Sequence, residues 1–137
     1  MTDQTNIVAW TNFKHGIIWV NDYHDWPLAG VAMFEGRRIY FNCVETWYVD
    51  DQEYRRFGLY DPPPGIWLEI DARHEAFCKY VGTHWNYVEG KRGPHMMKPE
   101  PEWHKFYDVY PPNTAIEMQE EWRIGTADSS LDGRRHE

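Results

Sequence analysis

Positive charge is scarce in this chain. Lys and Arg number 14 against 22 Asp and Glu, a net charge of −8 with histidine neutral. Phosphate backbones are held by clustered Lys and Arg, so direct nucleic-acid binding is not expected. The acids do not gather either: residues 1–44 carry −1, 45–61 carry −3, 62–89 carry −2 and 90–137 carry −2. A mimic of DNA needs a denser acidic face. Dispersed acid of this kind suits solubility and the steering of a partner with a basic surface.

Long apolar runs are also missing. Nothing approaches the ~20 consecutive apolar residues that span a bilayer. The start, Met1-Thr2-Asp3-Gln4-Thr5-Asn6, lacks the basic and apolar regions of a secretory signal. A cytoplasmic chain with no membrane contact is therefore expected. Cysteine is nearly absent, with Cys43 and Cys78 alone. Two thiols in a chain this large fit a reducing compartment and packing as small apolar groups, although spacing alone leaves a disulfide open. There is no glycine-rich phosphate loop, no G-x-S-x-G elbow and no paired CxxC. Each absence counts against one class in turn: a nucleotide triphosphatase, an α/β hydrolase, a zinc ribbon.

Aromatic residues are what the chain has in excess. Its 8 Trp, 9 Tyr and 6 Phe make up 17% of 137 residues. With 42% apolar residues overall, this excludes disorder along the whole length and fits one domain with one core.

The N-terminal half reads as antiparallel β structure. Gly16–Val20 is a short apolar run broken by the turn formers of Asn21–Pro27. Val31–Phe34 and Arg38–Val44 flank Glu35-Gly36-Arg37, a hairpin signal. Asp50-Asp51-Gln52-Glu53 reads as a polar connection, and Arg56–Tyr60 as a further strand ended by Asp61 and three prolines. From Gly65 to Val81, Ile66, Ile70, Phe77, Tyr80 and Val81 recur at helical spacing, with Trp67 and Leu68 widening the stripe. Proline before the run and Gly82 after it mark helix ends. Gly90–Pro112 is a proline-punctuated arm, and 114–124 reads as a last strand. The expected fold is a single α+β domain over 1–125. An antiparallel sheet of four to five strands carries one main amphipathic helix on one face, a Pro-rich C-terminal arm wraps the edge, and 126–137 is a disordered tail.

Three groups of residues carry candidate chemistry. His74-Glu75-Ala76-Phe77-Cys78 has the frame of a metalloprotease helix, with Cys in place of the second His. His74 and Cys78 at i and i+4 would reach one zinc ion, with His84 as a third ligand and Glu75 as base. The plain alternative is the edge of a buried helix face, and no cofactor is the default expectation. Asp22-Tyr23-His24-Asp25-Trp26 would tune an imidazole between two acids, or simply satisfy a turn. Trp85, Tyr87, Trp103, Phe106 and Tyr107 would supply a partly exposed aromatic patch.

Without a catalytic motif, these features favour a small acidic protein that binds another protein through Asp22, Tyr23, His24, Asp25, Trp26, Trp85, Trp103 and Tyr107. An inhibitor, an immunity-type protein or a phage-borne antagonist of host defence would have this character. A small-ligand, nucleotide-like binder using aromatic walls is the alternative. A metal-dependent hydrolase on His74, Cys78 and His84 is the third.

Overall fold

The computed structural model describes residues 6–24, 26–83, 85–88, 91–92, 96–110 and 116–133. Ten strands run β1 (Asn6–Ala9), β2 (Ile17–His24), β3 (Trp26–Phe34), β4 (Arg37–Val49), β5 (Gln52–Tyr60), β6 (Gly82–Thr83), β7 (Trp85–Val88), β8 (Lys91–Arg92), β9 (Met96–Met97) and β10 (Arg123–Asp128). The helices are α1 (Trp10–Phe13), α2 (Pro64–Tyr80) and α3 (His104–Tyr107). Six strands in the order β1-β10-β5-β4-β3-β2 form the body of one open sheet, which β7 and β8 extend past β2. The α+β class stands, but the sheet has more strands than expected and is mixed, because β1 pairs with β10 in parallel.

Alternation along the central strands sends side chains to two different layers. On one face Ala32, Ile39, Phe41, Phe57, Leu59 and Ala127 pack beneath the single turn of α1. There Trp10 stacks on Phe57 at 4.3 Å and Phe13 meets Phe41 edge-on at 5.4 Å. On the other face Val31 and Tyr40 lie under Ile70 of α2, with Ile66, Trp67 and Trp19 beside them. Toward its C-terminal end α2 packs Phe77, with Val81 just past the helix, against Phe106 of α3. Aromatic rings thus fill both layers, as large side chains must in a small domain.

Pro64 opens α2 and Gly82, at φ 125°, follows its end, as the sequence implied. Leu68 does not join the stripe and is 73% exposed. Two positions on a helix are about 200° apart, so a residue two away from both Ile66 and Ile70 must face the opposite side.

Five further expectations are corrected. Asn21–Pro27 does not break the strand: β2 and β3 run through it as a hairpin, with Tyr23 opposite Pro27 and three register shifts between Ile17 and Tyr23. Gly30 belongs to this pairing because a β-carbon there would collide with the Trp19 carbonyl. The polar connection shrinks to Asp50-Asp51, since β4 runs to Val49 and β5 starts at Gln52. The last described strand is β10, not 114–124, and Thr126–Ser129 are not part of a tail, since all four are buried; residues 134–137 lie outside the described residues. Finally, the described part of the proline-rich arm does more than wrap an edge. Lys91–Arg92 add β8 at the margin of the sheet, Met96–Met97 form β9 paired to β6, and a 3-10 turn leads into α3.

Candidate binding surfaces

The i, i+4 pair on α2 forms as its spacing requires. Cys78 Sγ lies 3.5 Å from His74 Nε2. The His74 ring lies flat on the Trp19 indole, 3.6 Å between centroids and 4° between planes. Burial lowers the His74 pKa to about 4, against an upward pull from Asp71, and burial raises that of the Cys78 thiol. Among the described residues no group of three His, Cys, Asp or Glu comes together to hold a metal. His84 lies outside the described residues. What His74 does within them is join α2 to β2 as a neutral, stacked ring. Cys43 is likewise a free, half-buried thiol.

Trp103 and Tyr107 are brought together. Four residues apart through the 3-10 turn and α3, they line a recess of about 420 Å³ with Glu100, Pro101 and His104. The Trp103 indole N–H donates to the Lys98 carbonyl at 2.9 Å, which fixes the ring against α2 and α3. Phe106 is buried rather than part of an exposed patch. The side chains of the other proposed aromatics, Tyr23, Trp26, Trp85 and Tyr87, lie outside the described residues. By its backbone Trp85 sits in β7 opposite Val20. Asp22, Tyr23 and His24 lie in β2 and Trp26 opens β3; Asp25 lies outside the described residues. Of the tryptophans whose side chains are described, Trp10 is buried and Trp19, Trp47, Trp67, Trp103 and Trp122 are half-buried. The indoles serve packing more than display.

Among the described side chains the most exposed aromatic is one that the sequence did not single out. Tyr48 is 66% exposed, with Val49 at 50% and Val44 at 44%. All three lie where β4 and β5 run on past their neighbours. Pairing of β3 to β4 ends at Ala29–Asn42, and pairing of β10 to β5 ends at Asp128–Arg56. Beyond these points the hairpin continues alone, through Thr46–Arg55, Trp47–Tyr54, Tyr48–Glu53 and Val49–Gln52. Asp50 (φ 52°) and Asp51 (φ 67°) close it, consecutive positive φ values of the kind a two-residue mirror-image turn requires. Successive hairpins reverse direction, so this arm leaves the sheet at the end where β2 finishes at His24 and β3 begins at Trp26.

One face of the arm is braced. Trp47 stacks on Tyr54 at 5.8 Å, and the Arg56 guanidinium lies 4.9 Å over the Trp47 ring. Arg56 also bonds Glu45 at 2.6 Å and Asp128 at 3.0 Å. Asp128 accepts from the Ser130 amide at 2.8 Å and its hydroxyl at 2.6 Å. Burial pushes the Asp128 carboxyl up, but the Ser130 hydrogen bonds and Arg56 outweigh it and hold the carboxyl below its usual range.

The two edges of the arm differ. On the β5 side the Arg55 amide donates to the buried Ser129 hydroxyl at 2.8 Å, which closes that edge at its root. On the β4 side the pairing to β3 stops at Ala29–Asn42, while β3 itself is described as far as Trp26. Bonded and non-bonded pairs alternate from the turn outward. Val49, Trp47 and Glu45 therefore bond β5, while the N–H and C=O of Thr46 and Tyr48 point away from it, past the described end of β3. The β-branched and aromatic run Val44-Glu45-Thr46-Trp47-Tyr48-Val49 was a readable strand signal; the openness of its edge was not. Set against known proteins, this chain matches no family, no curated protein and no solved structure.

Proposed function

We propose that this chain is a binding protein that engages a partner with a basic surface, and that the β4–β5 arm is its principal contact. The arm is the observation that carries this reading. Residues 44–53 hold Glu45, Asp50, Asp51 and Glu53 and no Lys or Arg. Glu45 and Glu53 are matched by Arg56 and Arg55, and no described cation reaches Asp50 or Asp51. An exposed tyrosine and two valines flanked by unmatched carboxylates are the ingredients of an interface anchor and its steering charge.

The turn supports the same reading. Such turns favour Asn-Gly or Asp-Gly, yet this one places two acids at positive φ. Strain at an exposed tip is a pointer to use there.

The test is capture from cell extract by the immobilised chain, run beside a Tyr48→Ala/Asp51→Asn variant whose thermal unfolding matches the parent. A basic protein should be retained by the parent, released by salt and lost from the variant. Identical capture by both would overturn the proposal.

One observation favours a second reading, binding of a small ring compound. The Trp103–Tyr107 recess offers two aromatic walls, while Glu100 beside them disfavours a phosphate. Thermal shift with nucleosides against nucleotides addresses it, and stabilisation by neither rejects it.

A further inference from the structure

Edge strands are a hazard that proteins usually blunt with lysine, proline, charge or cover. Past the described end of β3 at Trp26, the β4 edge from Thr46 to Val49 has no Lys, Arg, Pro or charge of its own. Its one blunting device is the register shift between Cys43 and Glu45, a bulge that lies before Thr46. Past it, Thr46 and Tyr48 present two N–H donors and two C=O acceptors in ladder geometry. The opposite face is locked by the Trp47–Tyr54 stack and by Arg56, so the edge is held straight before any partner arrives. Pre-organisation of this kind reduces the entropy lost on pairing.

From this we propose that the β4 edge accepts an extended segment of the partner as an added strand, and that the segment is basic. The inference rests on the binding role proposed above and specifies how the partner is held. Backbone bonds to Thr46 and Tyr48 supply the pairing. Charge selects the occupant. A strand laid along Thr46–Tyr48 and continuing outward passes Asp50 and Asp51, which lack a described cation, so Lys or Arg on that strand is complemented. A second copy of this chain is the poorer occupant. It would bring its own Asp50 and Asp51 to the same end of the arm, on a body that already carries −8.

The experiment uses the full chain and a short synthetic peptide alternating Lys with Thr and Val. It is paired with a Glu-for-Lys peptide and with a version N-methylated on alternate amides. Affinity is read by fluorescence anisotropy, and amide hydrogen exchange by nuclear magnetic resonance. The Lys peptide should bind at low salt and slow exchange at Thr46 and Tyr48. The Glu peptide should not bind, and N-methylation should weaken binding about tenfold or more through two lost hydrogen bonds. If the Lys peptide binds with unchanged exchange at both amides, or the N-methylated peptide binds equally well, strand addition is wrong while the basic-partner reading stands. If neither charged peptide binds, both fall. If Thr46 and Tyr48 are already protected in a dimer without peptide, the occupant is a second copy and the proposal is overturned.

Discussion

The β4–β5 hairpin is two structures in one. Its root, Ile39–Asn42 against Phe57–Tyr60, has a strand on either side and a packed layer on each face. Its tip, Thr46–Val49 against Gln52–Arg55, pairs with no further described strand, has one braced face, and is tied at its base by the Arg55–Ser129 bond. The same two strands supply fully buried residues such as Phe41 and Phe57 and, among the described side chains, the most exposed tyrosine. Stability and display are therefore separable along one hairpin, and substitutions can pull them apart.

The largest effect belongs to the root. Phe41 is fully buried and touches Trp10, Phe13 and Phe57. Phe41→Ala should destabilise the fold by about 3–5 kcal/mol through lost transfer energy and a cavity. Tyr48→Ala, only a few residues along the same strand, should change stability by less than about 0.5 kcal/mol. Denaturant unfolding of the two variants measures the contrast directly. Equal losses would show that the tip is part of the cooperative core and not an appendage.

Next comes the joint between root and tip. Asp128 is buried and collects bonds from Arg56 and twice from Ser130. Asp128→Ala should cost about 2–3 kcal/mol, since it strands those donors, with some relief because Arg56 is partly exposed to water. The sign with pH follows from the lowered carboxyl. Its stabilisation is fully present above the unfolded value near 3.8 and is lost as pH falls through the lower folded value. Asp128→Asn should therefore flatten the stability profile below pH 4.

Much of the root was legible and little of the joint. The Glu35-Gly36 turn and the alternation of Ile39, Phe41 and Cys43 mark one hairpin, because turn chemistry and period-2 burial are local. The helix was legible for the same reason, from Pro64 to Gly82. The β1–β10 pairing was not: Asn6–Ala9 meets 125–128 from the far end of the sequence, and short strands of small residues carry little local signal. Asp128 and Ser129 look like tail residues until that pairing buries them. The metal frame was legible as a spacing, and His74 does meet Cys78, yet no local pattern shows that Trp19 lies flat against the imidazole. The open edge is the least legible feature, since it depends on where two other strands stop.

A third prediction separates α2 from the arm. His74 has its pKa lowered to about 4 by burial. Below the unfolded value of 6.5 the unfolded chain gains a proton that the folded one refuses, so stability falls with acid from 6.5 to about 4 and is level below that. Between pH 7 and 5.5 the loss should be about 1 kcal/mol, and His74→Gln should remove it. This window lies above that of Asp128, so urea titrations across pH resolve the two groups. A pH profile unchanged by His74→Gln would place the ring in water rather than against Trp19.

The smallest effect compares two turns at opposite ends of β4. At the root end, Glu35 (φ 52°) is followed by Gly36 (φ 82°); at the tip, Asp50 is followed by Asp51 (φ 67°). Glycine bears positive φ without the steric penalty that a β-carbon brings. Gly36→Asp should therefore destabilise, and Asp51→Gly should stabilise, each by roughly 0.5–1 kcal/mol. Nothing lies within 4 Å of a β-carbon built at Gly36, so the first change reads backbone strain alone. If Asp51→Gly raises the unfolding midpoint and at the same time weakens capture of a basic partner, stability and binding trade at a single residue. If it raises the midpoint and leaves capture intact, Asp51 contributes no steering charge, and the charge that selects the partner must sit elsewhere on the arm.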